Sequence, residues 1–127
     1  MMSSAYSILV VDDESELATL FKTFLDKEGH TAISFTDPTL ALEYFKQTPD
    51  KHSLIITDLR MPSLSGLQLA KKIRKLNTDI KIFLMTAFDT KDLENQVEYK
   101  EARIDKLIQK PIRFSDLRRL VNDALNV

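Results

Sequence analysis

The stretch that decides the fold is Ile8–Gly29, ILVVDDESELATLFKTFLDKEG. It opens with a strand-length apolar run, Ile8 to Val11, and turns through the acids Asp12, Asp13 and Glu14. Leu17, Leu20, Phe21, Phe24 and Leu25 then recur at a 3.6-residue period, which predicts a helix from about Ser15 to Glu28 ended by Gly29. A strand and a helix joined by a short acidic turn make one βα unit.

The unit repeats along the chain. Ala32 to Phe35, Leu54 to Ile56, Ile82 to Met85, and Leu107 to Ile108 are further apolar runs of strand length. Asp37 before Pro38 reads as a cap followed by a first-turn proline, opening a helix whose apolar face is Leu40, Ala41, Tyr44 and Phe45. Leu67, Ala70, Ile73 and Leu76 mark a third helix. Leu117, Leu120, Val121, Ala124 and Leu125 mark a fifth, started by Ser115. The fourth, roughly Asp89 to Glu101, has little beyond Leu93 and Val97 to bury and is expected to be the loosest.

Parallel strands need crossover connections, and the runs here are apolar without alternation, as strands covered on both faces are. The expected fold is therefore a doubly wound α/β domain with a five-stranded parallel sheet and five helices. With strand order 2-1-3-4-5, the topological switch point falls between the first and third strands, and ligands bind outside the carboxyl ends of strands there.

A length of 127 residues fits one domain, expected over 7–126 with residues 1–6 as a short N-terminal extension. Hydrophobic residues make up 43% and charged residues 29%, with only 2 Gly, the composition of a folded chain rather than a disordered one. A net charge of -1 argues against direct binding of nucleic acid or an anionic membrane. No apolar run approaches the ~18 residues a membrane span needs. The start lacks the regions of a signal peptide, so a cytoplasmic location is expected. The absence of Cys removes disulfides, thiolate zinc sites and cysteine nucleophiles. His30 and His52, the only imidazoles, flank strands and read as surface residues.

The chemistry gathers where strands end. Asp12 and Asp13 follow the first strand, Asp58 the third, Thr86 the fourth and Lys110 the fifth. Taken singly, the acids are helix-capping or loop residues, Thr86 a strand-end residue and Lys110 a solvated charge. Three carboxylates in one crevice need a cation or a proton to offset their repulsion. Mg²⁺ suits them, being a hard ion that takes one or two carboxylates with waters and phosphate oxygens. A carboxylate beside Mg²⁺ and a lysine can attack phosphorus to give an aspartyl phosphate. Thr86 can donate a hydroxyl to a phosphoryl oxygen, and the small Ala87 leaves room for the group to enter.

These residues lie in VVDDE (Val10 to Glu14), IITDLRMPSLSG (Ile55 to Gly66), LMTA (Leu84 to Ala87) and QKPI (Gln109 to Ile112). Together these pieces resemble the receiver domains of two-component response regulators, in particular stand-alone, chemotaxis-regulator-like ones, over about Ser7 to Asn126; the implied architecture is flavodoxin-like. The resemblance implies that Asp58 is the phosphoacceptor and that Asp12, Asp13, Asp58 and the Arg60 backbone carbonyl form the metal site, with Mn²⁺ able to replace Mg²⁺. It implies that Thr86, Ala87 and Lys110 contact the phosphoryl group and that the bond to Pro111 is cis. The implied partners are a sensor histidine kinase or histidine phosphotransfer protein and a downstream protein target or output domain, with a phosphorylation-dependent dimer also in keeping with it. Neither nucleic acid nor membrane is an expected partner.

Two departures stand out. Leu107 occupies the position where similar proteins carry a Tyr or Phe that changes rotamer, and Arg103 and Ile104 replace the usual Gly-Ala before the fifth strand. Arg60 and Phe88 occupy positions where the family tunes dephosphorylation. The sequence also separates this reading from neighbouring classes. A flavodoxin-type cofactor protein needs a phosphate-cradling loop after the first strand, where this chain has three acids. A haloacid-dehalogenase-type phosphatase needs a second Asp two residues after its nucleophile, where this chain has Arg60. The remaining alternative is a degenerate receiver acting as a phosphorylation-independent interaction module. The basic run Lys71, Lys72, Arg74 and Lys75 reads as a solvated helix face. The expected function is Mg²⁺-dependent phosphotransfer to Asp58, switching the surface formed by the fourth helix, fifth strand and fifth helix.

Overall fold

A computed structural model of the chain describes residues 6–87 and 91–127. The described elements run β1 (Ser7–Val11), α1 (Ser15–Lys27), β2 (Thr31–Phe35), α2 (Pro38–Gln47), β3 (Leu54–Asp58), α3 (Gly66–Leu76) and β4 (Lys81–Thr86). A 3₁₀ turn (Leu93–Asn95), α4 (Val97–Ala102), β5 (Lys106–Gln109) and α5 (Phe114–Leu125) complete the order. All strands are parallel, in the order β2-β1-β3-β4-β5. The doubly wound expectation holds.

Side chains alternate across each strand, but both faces are covered by helices, so both sets are apolar. Leu9, Val11, Ile55, Ile82 and Leu84 join Phe45, Leu69 and Ile73 under α2 and α3. Ile8, Val10, Ile56, Phe83 and Met85 join Phe21, Leu25, Leu117 and Val121 under α1 and α5. The register pairs Val11 with Thr57, so Asp12 and Asp58 stand level as the next residues of neighbouring strands.

Local signals explain the helix starts. Asp37 accepts the Thr39 N–H at 2.9 Å ahead of Pro38, as the sequence predicts. Ser65 and Gln68 form a reciprocal capping box that opens α3.

Several sequence expectations are corrected. Leu20, Leu40 and Leu76 are 48%, 57% and 40% exposed, and Leu42 takes the buried place on α2. The α5 helix starts at Phe114 after Arg113, one residue before Ser115, with no side-chain cap. The expected fourth helix is split, because Gln96 is extended (φ -73, ψ 142) between the 3₁₀ turn and α4. Val97 is consequently 70% exposed and Ala102 is the buried residue of α4; the expected start at Asp89 lies outside the described residues.

His52 is not a surface residue. It is 3% exposed, with its Nδ1 2.8 Å from the Ser7 hydroxyl and its ring against Tyr44 and Phe45. Arg74 also leaves the solvated face predicted for it, being 6% exposed beneath the α4–β5 turn.

Candidate functional site

The carboxyl ends of β1 and β3 carry the acids. Asp12 extends the β1 ladder by donating its N–H to the Phe35 carbonyl at 3.1 Å, and its Oδ1 accepts the Glu14 N–H at 2.9 Å. It is fully buried, whereas the next residue, Asp13, is exposed. Asp58 ends β3 opposite Met85, with its Oδ1 accepting the Leu59 N–H at 3.1 Å. One carboxylate oxygen from each of Asp12, Asp13 and Asp58 falls within 4.8 Å of the other two.

Lys110 follows β5 and donates its backbone N–H to the Thr86 carbonyl at 2.8 Å, which brings the ends of β4 and β5 level. Its Nζ lies 3.0 Å from Asp12 Oδ2 and 3.4 Å from Asp58 Oδ1. The Lys110–Pro111 bond is cis. Thr86 is 1% exposed and Ala87 lies exposed just past it. Arg60 is exposed, and Phe88 lies outside the described residues. Leu107 is half-buried on β5, packed into the core on the α2 and α3 side.

The electrostatics follow from this packing. Burial pushes the Asp58 carboxyl above its usual range; Lys110 opposes the rise and Asp12 adds to it. Burial works against the Lys110 ammonium, but hydrogen bonding and charge from Asp12 and then Asp58 overcome it and raise its pKa. Three ionised carboxylates and one ammonium leave an excess of two negative charges. The donors are all hard oxygens, so the set fits a divalent ion such as Mg²⁺ and not a soft metal.

Sequence reasoning did not single out Gly66. A Cβ there would run into the Asp58 carbonyl oxygen and meet Leu84 Cδ1 at 2.9 Å, so only glycine lets α3 start against the acceptor strand. Its N–H donates to the Leu59 carbonyl at 2.8 Å, and the Thr57 hydroxyl donates to the Asp58 carbonyl at 3.0 Å. The available signal was a glycine, one of 2 in the chain, placed directly after a helix-capping serine.

A family model described as the response regulator receiver domain matches residues 8–122. The chain belongs to this family. Among curated relatives of this receiver domain, response regulator RppA of Synechocystis is 32% identical over 87% of the chain, which covers 46% of that protein. Response regulator receiver protein CpdR of Brucella abortus is 28% identical, with 87% of this chain and 88% of that protein covered. The chain spans under half the length of RppA and of the ycf27 regulator of Porphyridium aerugineum, at 46% and 47%.

Solved structures agree with the fold. A CheY-like receiver from Methanospirillum hungatei superposes with a TM-score of 0.87 at 27% identity, covering 97% of this chain and 95% of that one. TrrA of Thermotoga maritima, solved in complex with Mg²⁺-BeF, gives a TM-score of 0.80 at 32% identity, covering 94% and 98%. Among the described residues, no helix is long and apolar enough to cross a membrane.

Proposed function

We propose that this receiver domain accepts a phosphoryl group on Asp58 from the phosphohistidine of a sensor histidine kinase or histidine phosphotransfer protein. The observation that carries the reading is the meeting of Asp12, Asp13 and Asp58 oxygens within 4.8 Å, with Lys110 bridging two of these residues. An Asp58 carboxylate oxygen attacks phosphorus, the P–N bond to the donor imidazole breaks, and its electron pair returns to that imidazole. The product is an acyl phosphate.

Asp12, Asp13, Asp58 and the Arg60 carbonyl are the groups that would hold Mg²⁺ or Mn²⁺, whose charge would offset that of the phosphoryl oxygens. Lys110 supplies a further positive charge at the same oxygens. The Thr86 hydroxyl donates to one of them, and Ala87 leaves the entrance open. Arg60 and Phe88 stand at the sequence positions where receiver domains tune the approach of water to the product. The complex of the related TrrA with Mg²⁺-BeF supports this chemistry by similarity.

The output surface is formed by α4, β5 and α5. Phosphorylation shifts this surface between two conformations, which differ in its α4 part, only through differential interaction with them. Incubation with a small acyl phosphate and Mg²⁺ tests the proposal: one acid-labile phosphate should appear and chelation of the metal should prevent it. Metal-independent labelling at the same rate contradicts it.

A further inference from the structure

Arg74 carries a charge into the protein interior far from the acidic site, and all of its guanidinium nitrogens are engaged. Nε donates to the Ala102 carbonyl at 2.9 Å, Nη1 to Thr78 at 3.0 Å and Ile80 at 2.7 Å, and Nη2 to Arg103 at 3.0 Å. Asp105 Oδ2 lies 3.6 Å from Nη2. One side chain of α3 thus ties the α3–β4 loop to the α4–β5 turn.

The neighbours reinforce the tie. Arg103 closes α4 in the left-handed region at φ 52, and its own guanidinium donates to the Thr78 carbonyl at 3.1 Å. Asp105 accepts the Ile82 N–H at 2.7 Å and donates its own N–H to the Ile82 carbonyl at 2.8 Å. Charge-assisted bonds to buried carbonyls are strong and directional, and removing their donor leaves those carbonyls unsatisfied.

The other end of α4 is held differently. Neither the 3₁₀ turn nor α4 has a side-chain cap, and Val97 is 70% exposed. Lys71 reaches Glu98 at 3.8 Å, an ion pair between partly exposed side chains that holds little. A cavity of about 530 Å³ separates this end from the loop after Asp58, lined by Arg60, Met61, Ser65, Lys91, Leu93 and Gln96 among others. The N-terminal end of α4, held to the core by the buried Leu93 of the preceding turn, therefore faces space that opens towards the acceptor loop.

We infer that Arg74 is a fixed pivot for α4: the rearrangement that follows phosphorylation is confined to residues 91–98, while residues 101–109 stay clasped to α3. The inference deepens the proposed function and rests on Asp58 as the acceptor. Arg74 acts as a positioning residue, because it sets which end of α4 moves without touching the phosphoryl group.

Hydrogen exchange read by mass spectrometry on the whole chain, with and without acyl phosphate and Mg²⁺, tests it, intact mass recording the phosphate on each sample. In wild type, phosphorylation should change exchange across 91–98 and leave 101–109 unchanged. In Arg74→Lys, exchange across 101–109 should rise about tenfold before phosphorylation and become responsive to it. Arg103→Gly keeps the left-handed turn and removes one bond, so it should give a smaller rise in the same segment; it replaces Arg74→Lys should that variant fail to fold. Phosphorylated wild type in which 101–109 responds as strongly as 91–98 overturns the inference. So does an Arg74→Lys protein exchanging like wild type across 101–109. Wild type that gains no phosphate refutes the acceptor assignment instead, and the pivot is then judged on the unphosphorylated variants alone.

Discussion

Lys110 and Asp12, 98 residues apart in the chain, meet at 3.0 Å between the ends of β5 and β1. Asp12 is fully buried, so that ammonium is the neighbour that offsets its carboxylate when no metal is present. Removing one member of a buried pair strands the other. Lys110→Met should therefore cost about 3 kcal/mol in metal-free buffer, read from urea unfolding. Mg²⁺ should then raise the melting temperature of the variant more than that of wild type.

Asp58 is destabilising in its charged form. Burial raises its folded-state pKa above the ordinary carboxylate value, so stability is lost as pH rises through that window and stays lost at neutral pH. Asp58→Asn should unfold at a higher urea concentration than wild type at pH 7 without metal. An equal or lower midpoint would show that the ion pair with Lys110 outweighs burial.

Gly66→Ala drives a methyl group into the Asp58 carbonyl, which is backbone and cannot step aside. A loss of about 3 kcal/mol is expected from overpacking of this kind, together with slower phosphorylation as the end of β3 shifts. Ser65→Ala removes the adjacent capping box and should cost only about 1 kcal/mol, leaving phosphorylation unchanged.

His52 gives the fold an acid sensitivity unrelated to the site. Burial, and then the charge of Lys51, push its pKa from 6.5 down to about 4. The folded state favours the neutral ring, so its contribution is intact above pH 6.5 and is lost as pH falls towards 4. Wild type should lose about 2 kcal/mol between pH 7 and pH 4.5 that His52→Phe does not lose, as urea midpoints at the two pH values would reveal.

The sequence disclosed most where one residue's environment follows from its position on a strand. Asp12, Asp58, Thr86 and Lys110 each follow or end an apolar run, so parallel topology alone brings them to one edge. Arg74 and His52 were hidden because periodicity assigns polar residues to solvent. The carbonyls that bind Arg74 lie 4 to 29 residues away, and only the folded α4–β5 turn brings the distant ones near. The fourth helix misled for a different reason: Leu93 and Val97 have helical spacing, but the backbone extends at Gln96 between them. Gly66 reads as an ordinary turn glycine until the acceptor strand is seen packed against it.

The most direct measurement is peptide-resolved mass spectrometry of wild type and Asp58→Asn after exposure to acyl phosphate and Mg²⁺. One acid-labile phosphate is expected on the wild-type peptide spanning Leu54 to Gly66 and none on the variant. Phosphate on both proteins, or on a peptide lacking residue 58, would contradict it.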